Sequence, residues 1–364
     1  MLNFYPTIKV KIINEDAFKG MFKGKPTALY TLKNRNGMVV QITNFGAKIV
    51  CIYVPDRNGN FSDIVLGYES IEEYIKGNPY FGAICGRCAN RIANGKFVID
   101  GVTYQLPVNN GPNSLHGGPE GFNNQIFDTN GVISNSNVEQ VEMVYISKDG
   151  EMGYPGTLTL KVTYSVTNSN ELRLDYEATA DKATHVNICS HSYFNLAGEG
   201  NGDILGHELS INSDKFTPVS DVLIPSGELR PVAGTPMDFI KPKTICRNID
   251  DNYDQLDYGK GYDHNWVLKK KIAGELSLAV TCYEPKSGRI MEVHTTQPGV
   301  QLYTGNWLDG NDKGKGGKAY LMRSGLCLET QNFPDSPNKS DFPSTLLKPG
   351  KTYKHACIYK FYVK

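Results

Sequence analysis

Thr157–Ala178 reads TLTLKVTYSVTNSNELRLDYEA, and its spacing decides the fold. Leu158, Leu160, Val162, Tyr164 and Val166 alternate with Thr, Lys and Ser. Successive side chains of an extended strand point to opposite faces, so the run has one apolar and one polar face. Thr167-Asn168-Ser169-Asn170 is turn chemistry, and the alternation resumes over Glu171–Ala178 (ELRLDYEA). Two such runs joined by a short polar turn predict an antiparallel hairpin with one buried face.

Working outward, the same period-two signal appears at Met38–Phe45, Phe97–Ile99, Val102–Leu106 and Val141–Ile146. It returns at Leu276–Thr281, Ile290–Thr295, Gly299–Tyr303, Leu326–Glu329 and Thr352–Tyr362. Turn residues punctuate the runs, as in Arg57-Asn58-Gly59-Asn60, Asp100-Gly101 and Lys286-Ser287-Gly288. One short helix is expected over Ser70–Lys76 (SIEEYIK), with Ser70 as its cap and Glu73 three residues on. Many short strands without alternating helices predict an all-β chain, a large antiparallel sandwich or barrel with very little helix. Nothing resembles an interdomain linker, so one domain over 1–364 is expected, with 1–25 as a peripheral N-terminal segment. Lys313–Lys318 (KGKGGK) lacks the Gly-Lys-Ser/Thr ending of a phosphate loop and is expected to be an exposed connection.

Composition narrows the function. The chain has 364 residues, with 38 Lys+Arg against 38 Asp+Glu, for zero formal charge. That balance argues against nucleic acid or an anionic membrane as partner, since both are bound through clustered basic charge. Hydrophobic residues at 40% and charged residues at 21% suit a globular protein. The eight cysteines are scattered, with only Cys85 and Cys88 close together and no second pair to complete a zinc ribbon. Scattered thiols suit a reducing compartment, and the first residues lack a signal-peptide pattern, so a cytoplasmic location is expected, a trimmed signal being the other history that fits.

Motifs for serine-hydrolase, zincin, dinucleotide and EF-hand chemistry are absent from the sequence. What remains is a set of polar interruptions of the β pattern. Gly86-Arg87-Cys88-Ala89-Asn90-Arg91-Ile92 places two arginines and an Asn beside apolar Phe81–Ile84. Taken alone, it reads as a strand whose arginines reach solvent or pair structurally. His116 precedes two glycines in Asn113-Ser114-Leu115-His116-Gly117-Gly118, a loop suited to a ligand but also to no task. His191 lies among hydroxyls and aromatics in Ser190-His191-Ser192-Tyr193-Phe194-Asn195, a setting for proton transfer or for a satisfied core histidine. Asp263 stands in Gly261-Tyr262-Asp263-His264-Asn265-Trp266, a mix of acid, amide and aromatic that resembles a sugar-binding edge or a structural turn. Gln301 lies in Gly299-Val300-Gln301-Leu302-Tyr303. Glu329 ends the apolar run Leu326-Cys327-Leu328, where partial desolvation raises a carboxylate's pKa and makes it a better base. Singly, each has a bland structural explanation. Together they offer two His, a Glu, an Asp, an Arg and a Gln, which fits acid–base work on an uncharged polyhydroxylated substrate.

The same stretches resemble the aldose 1-epimerase (galactose mutarotase) family. NFGAKIV (44–50), GRCANRI (86–92), NSLHGG (113–118) and SHSYFNLAG (190–198) occur in the family's order. GYDHNWVL (261–268), PGVQLYTGNW (298–307) and LETQNFPDSPN (328–338) follow, so the resemblance spans nearly the whole chain. It implies a large antiparallel supersandwich and the interconversion of α and β anomers of free aldohexoses such as D-galactose and D-glucose. It implies Glu329 as catalytic base and His191 as catalytic acid, with Asn90, Arg91, His116, Asp263 and Gln301 binding the sugar. No electrons or groups leave the substrate, so no cofactor is required, and no motif predicts a structural calcium or sodium ion. The expected partner is a small aldose, with no nucleic acid and no membrane; the expected state is a monomer, with a dimer as the alternative. A sugar-binding module without catalysis, a hexose-6-phosphate epimerase and a glycoside hydrolase are the competing functions. The first has no need of both Glu329 and His191, the second wants further cations, and the third leaves the histidines without roles.

Overall fold

The computed structural model describes residues 12–77 and 79–364. The predicted hairpin forms: Leu158–Thr167 pairs antiparallel with Glu171–Ala180, in register from Leu158↔Ala180 to Val166↔Leu172. Its alternating apolar residues are all buried. The hairpin supplies the third and fourth strands of a nine-stranded antiparallel sheet, flanked by Val138–Ser147 on one side and Thr352–Val363 on the other. A six-stranded sheet runs Tyr193–Phe194, Leu326–Gln331, Gly299–Tyr303, Asp263–Leu268, Ser213–Thr217 and Arg230–Pro231. A four-stranded sheet runs from Leu29–Lys33 through Val39–Thr43 and Lys48–Pro55 to Phe61–Asp63.

One hydrophobic cluster joins the three sheets. It holds Val162, Tyr164 and Leu174 from the first, Trp266, Leu302 and Leu328 from the second, and Val40, Ile42 and Ile52 from the third. Phe194 packs against Tyr359 across the layers, with ring centroids 5.0 Å apart. The expected sandwich of antiparallel strands is therefore the observed architecture, because each sheet has an apolar face that only another sheet can cover.

The helix over Ile71–Lys76 has Ser70 Oγ accepting from Glu73 N–H, as the capping pattern predicts. A second helix, Asp254–Gly259, carries too few turns to show a period in the sequence. Of the N-terminal stretch 1–25, residues 12–25 are described; Phe18 is fully buried there and its carbonyl accepts from Thr27 Oγ1 at 2.8 Å.

Arg87 does not reach solvent. It is buried, and its guanidinium donates to the carbonyls of Pro155 and Gly156 and to the hydroxyls of Thr184 and Ser147. The exposed connection expected at Lys313–Lys318 needs correction. Lys313, Gly316, Gly317 and Lys318 are exposed, but Lys315 turns inward and is buried. Its ammonium lies 2.5 Å from Asp63 Oδ2 and donates to the carbonyls of Val50 and Val65. A reading of bulk composition averages over the segment and misses one side chain turned inward. Breaking such a pair leaves a buried charge uncompensated, so Asp63→Asn is expected to cost roughly 3–5 kcal/mol. Urea unfolding measures this, and a loss under about 1 kcal/mol is incompatible with the buried pair.

Candidate active site

Strand parity assembles the floor of the site. Asp263–Leu268, Gly299–Tyr303 and Leu326–Gln331 are adjacent, with Asn265↔Gln301, Asp263↔Tyr303, Gln301↔Glu329 and Tyr303↔Cys327 in register. Trp266, Val300, Leu302, Leu326 and Leu328 enter the core. Asp263, Gln301 and Glu329 therefore share the opposite face, because alternate residues of a strand point opposite ways.

Two short elements supply the rest. Cys189–His191 pairs with Ala83–Cys85, opposing His191 to Ala83. Arg91–Ile92 pairs with Ser114–Leu115 and holds the next loop against it. His116 N–H donates to Asn90 O at 3.0 Å, and Asn90 N–H donates to His116 Nδ1 at 3.1 Å. Asn90 and His116 both have positive φ, at 59° and 52°, a conformation uncommon for non-glycine residues that the reciprocal bonds hold. Gly117 must be glycine: its φ is +89°, and a Cβ there would sit 1.9 Å from Gly86 O.

These elements enclose a cavity of about 670 Å³. Asn90, Arg91, His116, His191, Asp263 and Glu329 all line it. Gln301, expected to bind sugar, is buried beside Asp263: its Nε2 donates to Asp263 Oδ1 at 2.7 Å, and its Oε1 accepts from Gln331 Nε2 at 3.3 Å. Arg91 holds the other side of Asp263, with Nη2 3.5 Å from Oδ2, and its Nε donates to Asn110 Oδ1 at 2.9 Å.

Glu329 and His191 are side by side, with Oε1 3.6 Å from Nε2, and only 2% and 4% exposed. Burial pushes the Glu329 carboxyl above the usual glutamate range, with Asp263 adding to the rise; His191, the Cys189 thiol and Arg91 oppose it. Burial, followed by the proximity of His191 and Arg91, holds His116 well below the usual imidazole range, so it is neutral at pH 7. His264 is a core residue: its Nδ1 accepts from Asp263 N–H, and burial lowers its pKa to about 4.

His116, His191 and Glu329 bring three potential ligand atoms within 4.8 Å of one another, a donor set that suits zinc. The hydrogen bonding does not fit a metal. Asn90 N–H fills the Nδ1 lone pair of His116, so the neutral ring keeps its proton on Nε2. A metal-bound imidazole needs the reverse, with its second nitrogen donating.

Sequence reasoning missed several lining groups. Tyr80 packs against both His116 and His191, with ring centroids 4.6 and 5.6 Å away. Tyr258 and Trp307 stand at the mouth; Trp307 is 51% exposed, with the Lys260 ammonium 4.7 Å from its ring centroid. Asn110 sits in the legible turn Asn109-Asn110-Gly111-Pro112, but no local signal ties it to Arg91.

A paired carboxylate and imidazole in a polar and aromatic cavity, on an antiparallel supersandwich, define a carbohydrate epimerase. The chain belongs to the aldose 1-epimerase family, whose family model matches residues 28–360. It is 47% identical over 324 residues to the galactose mutarotase of Sus scrofa, covering 89% of this chain and 91% of that protein. It is 38% identical over 340 residues to the aldose 1-epimerase of Escherichia coli K12, covering 93% and 96%. Among solved structures, an aldose epimerase homologue from C. elegans superposes with a TM-score of 0.84 at 30% identity, covering 93% of this chain and 99% of that one. The galactose 1-epimerase of Lactobacillus acidophilus NCFM superposes at 0.83 with 28% identity, covering 94% and 97%.

Proposed function

We propose that the chain interconverts the α and β anomers of free aldohexoses, with D-galactose and D-glucose as the first substrates to test. The observation that carries this reading is the adjacency of Glu329 Oε1 and His191 Nε2 in the cavity. The anomeric hydroxyl and the ring oxygen share one carbon, so an acid and a base serving them must lie side by side.

In the forward direction Glu329 takes the proton of the C1 hydroxyl while His191 gives one to the ring oxygen. The C1–O5 bond breaks, leaving the open-chain aldehyde and its C5 hydroxyl. Rotation about C1–C2 presents the other carbonyl face. Reclosure returns the proton from O5 to His191 and from Glu329 to the new anomeric oxygen, restoring both groups. The raised pKa of Glu329 suits this exchange, because a base that must also return its proton works best near the ambient pH. His116, held neutral with Nε2–H, is a donor to sugar oxygens, and Asn90 and Arg91 bind hydroxyls beside it. Asp263, steadied by Arg91 and Gln301, accepts from sugar hydroxyls; Gln301 is a positioning residue rather than a direct contact. No step moves electrons or a group out of the sugar, so the chemistry asks for no cofactor.

The lining disfavours a phosphorylated substrate. Among the described residues it includes Asp221, Asp263 and Glu329 against one cation, Arg91, already engaged with Asp263. We further read the chain as one domain, acting as a monomer in the cytoplasm, a setting its eight unbridged cysteines suit. No helix among the described residues is long and apolar enough to cross a membrane.

Polarimetry of freshly dissolved α-D-galactose and α-D-glucose tests the function. The enzyme is expected to bring the rotation to equilibrium faster than buffer alone and to leave glucose 6-phosphate nearly unaffected. If neither free sugar equilibrates faster than in buffer, the reading is wrong.

A further inference from the structure

The carboxylate of Glu329 is buried, yet its strand offers it no backbone donor. Among the described residues one hydrogen bond reaches it, from Cys189 Sγ to Oε2 at 3.3 Å. An ionised carboxylate only accepts, so the thiol is the donor. The two carboxylate oxygens are thereby divided: Oε2 is tied to Cys189, while Oε1 lies 3.6 Å from His191 Nε2. Cys189 is fully buried with Cys85, its partner across the strand pair, and Ala89, in a small apolar cluster. Among the described residues, neither Cys85 nor Ala89 hydrogen-bonds to Oε2.

We infer that Cys189 is a positioning residue for the epimerase reaction, its thiol fixing the rotation of the Glu329 carboxylate and favouring the ionised form that accepts the anomeric proton. The inference rests on Glu329 being the base, as proposed above. A second thiol stands in matching relation to the acid. Cys327 Sγ lies 3.6 Å from His191 Nδ1, while the other ring nitrogen, Nε2, faces Glu329.

The experiment compares kcat/KM against pH for the wild type, Cys189→Ala, Cys189→Ser and Glu329→Gln, with α-D-galactose as substrate and a melting curve for each variant. The acid limb of kcat/KM reports the base in the free enzyme. Losing the donor makes ionisation harder, so Cys189→Ala is expected to move that limb up by roughly half to one pH unit. Below the limb, kcat/KM is expected to fall roughly 3- to 10-fold. Cys189→Ser keeps an O–H donor and is expected to hold the limb near its wild-type position. If Ala proves unstable, Cys189→Val removes the donor without opening a void and reads the same limb. A limb unmoved in Ala or Val, or moved equally in Ser, overturns the inference. Glu329→Gln separates the two failures. If it retains wild-type rate, the base assignment falls; if it is inactive and the Cys189→Ala limb stays put, only the role of the thiol falls.

Discussion

Replacing Glu329 by Gln is expected to lower kcat by about 10²- to 10⁴-fold, the usual contribution of a positioned proton-transfer group, and to make the protein more stable rather than less. The sign of the second effect follows from the raised pKa of the buried carboxyl. A carboxyl whose folded pKa lies above its unfolded value favours folding below the unfolded pKa. It loses that contribution as pH rises through the folded value. At neutral pH the wild type therefore carries a desolvation penalty that glutamine, neutral at every pH, does not. Thermal melting at pH 7 is expected to show a higher midpoint for Glu329→Gln, with the difference shrinking toward pH 4. His191→Asn is expected to lose activity to a similar degree. A Glu329→Gln protein that turns over galactose at the wild-type rate, or melts lower at neutral pH, contradicts this account.

The largest stability effect is expected in acid. Burial lowers His185, His207 and His264 to about 4 and His355 to about 3, and it holds His116 well below its usual value. A histidine depressed in the folded state contributes stability above the unfolded pKa of about 6.5 and loses it as pH falls toward the folded value. Each depression of that size corresponds to roughly 3 kcal/mol. Four of them together approach the 5–15 kcal/mol that holds a typical domain. Unfolding is thus expected to become steeply pH-dependent between about pH 6.5 and 4, with uptake of several protons. Urea unfolding at pH 7, 6 and 5 measures this, and a midpoint that stays level across that range sinks it. His207→Gln is the specific control. His207 Nε2 accepts from Leu196 N–H at 2.9 Å, and a glutamine carbonyl keeps an acceptor while removing the titration, so the slope should flatten.

The fold was legible because alternation is a local property. Leu158 to Val166 and Leu172 to Ala178 declare a buried face without help from the rest of the chain. Core and site also share this signal, since Glu329 and Leu328 are neighbours on one strand that face opposite ways. Six of the expected site residues line one cavity because polar residues on strand faces turned from the core, and on the loops beside them, are where a site can open. What stayed hidden depends on distance in space. The inward turn of Lys315 depends on Asp63, which is 252 positions away in sequence. The hydrogen bond from Gln301 to Asp263 depends on pairing between strands, and the contact of Cys189 with Glu329 joins residues 140 positions apart in sequence. Residue type announces chemistry; the partner that gives it a task is set by tertiary packing.

The shared parity of Asp263, Gln301 and Glu329 has a consequence for redesign. A one-residue insertion or deletion in any of their three strands exchanges the two faces at once, sending Leu302 or Leu328 into the cavity and a carboxylate or amide into the core. Catalysis and folding therefore fail together under such a change, and neither can be traded for the other. Latitude for accommodating other sugars lies at the rim, in Asn109–Pro112, Asp221–Leu223, Tyr258 and Trp307, where side chains border the opening without belonging to the registered strands. A library confined to those positions should yield folded variants that differ in sugar preference, whereas one spread over the central strands should be dominated by insoluble protein.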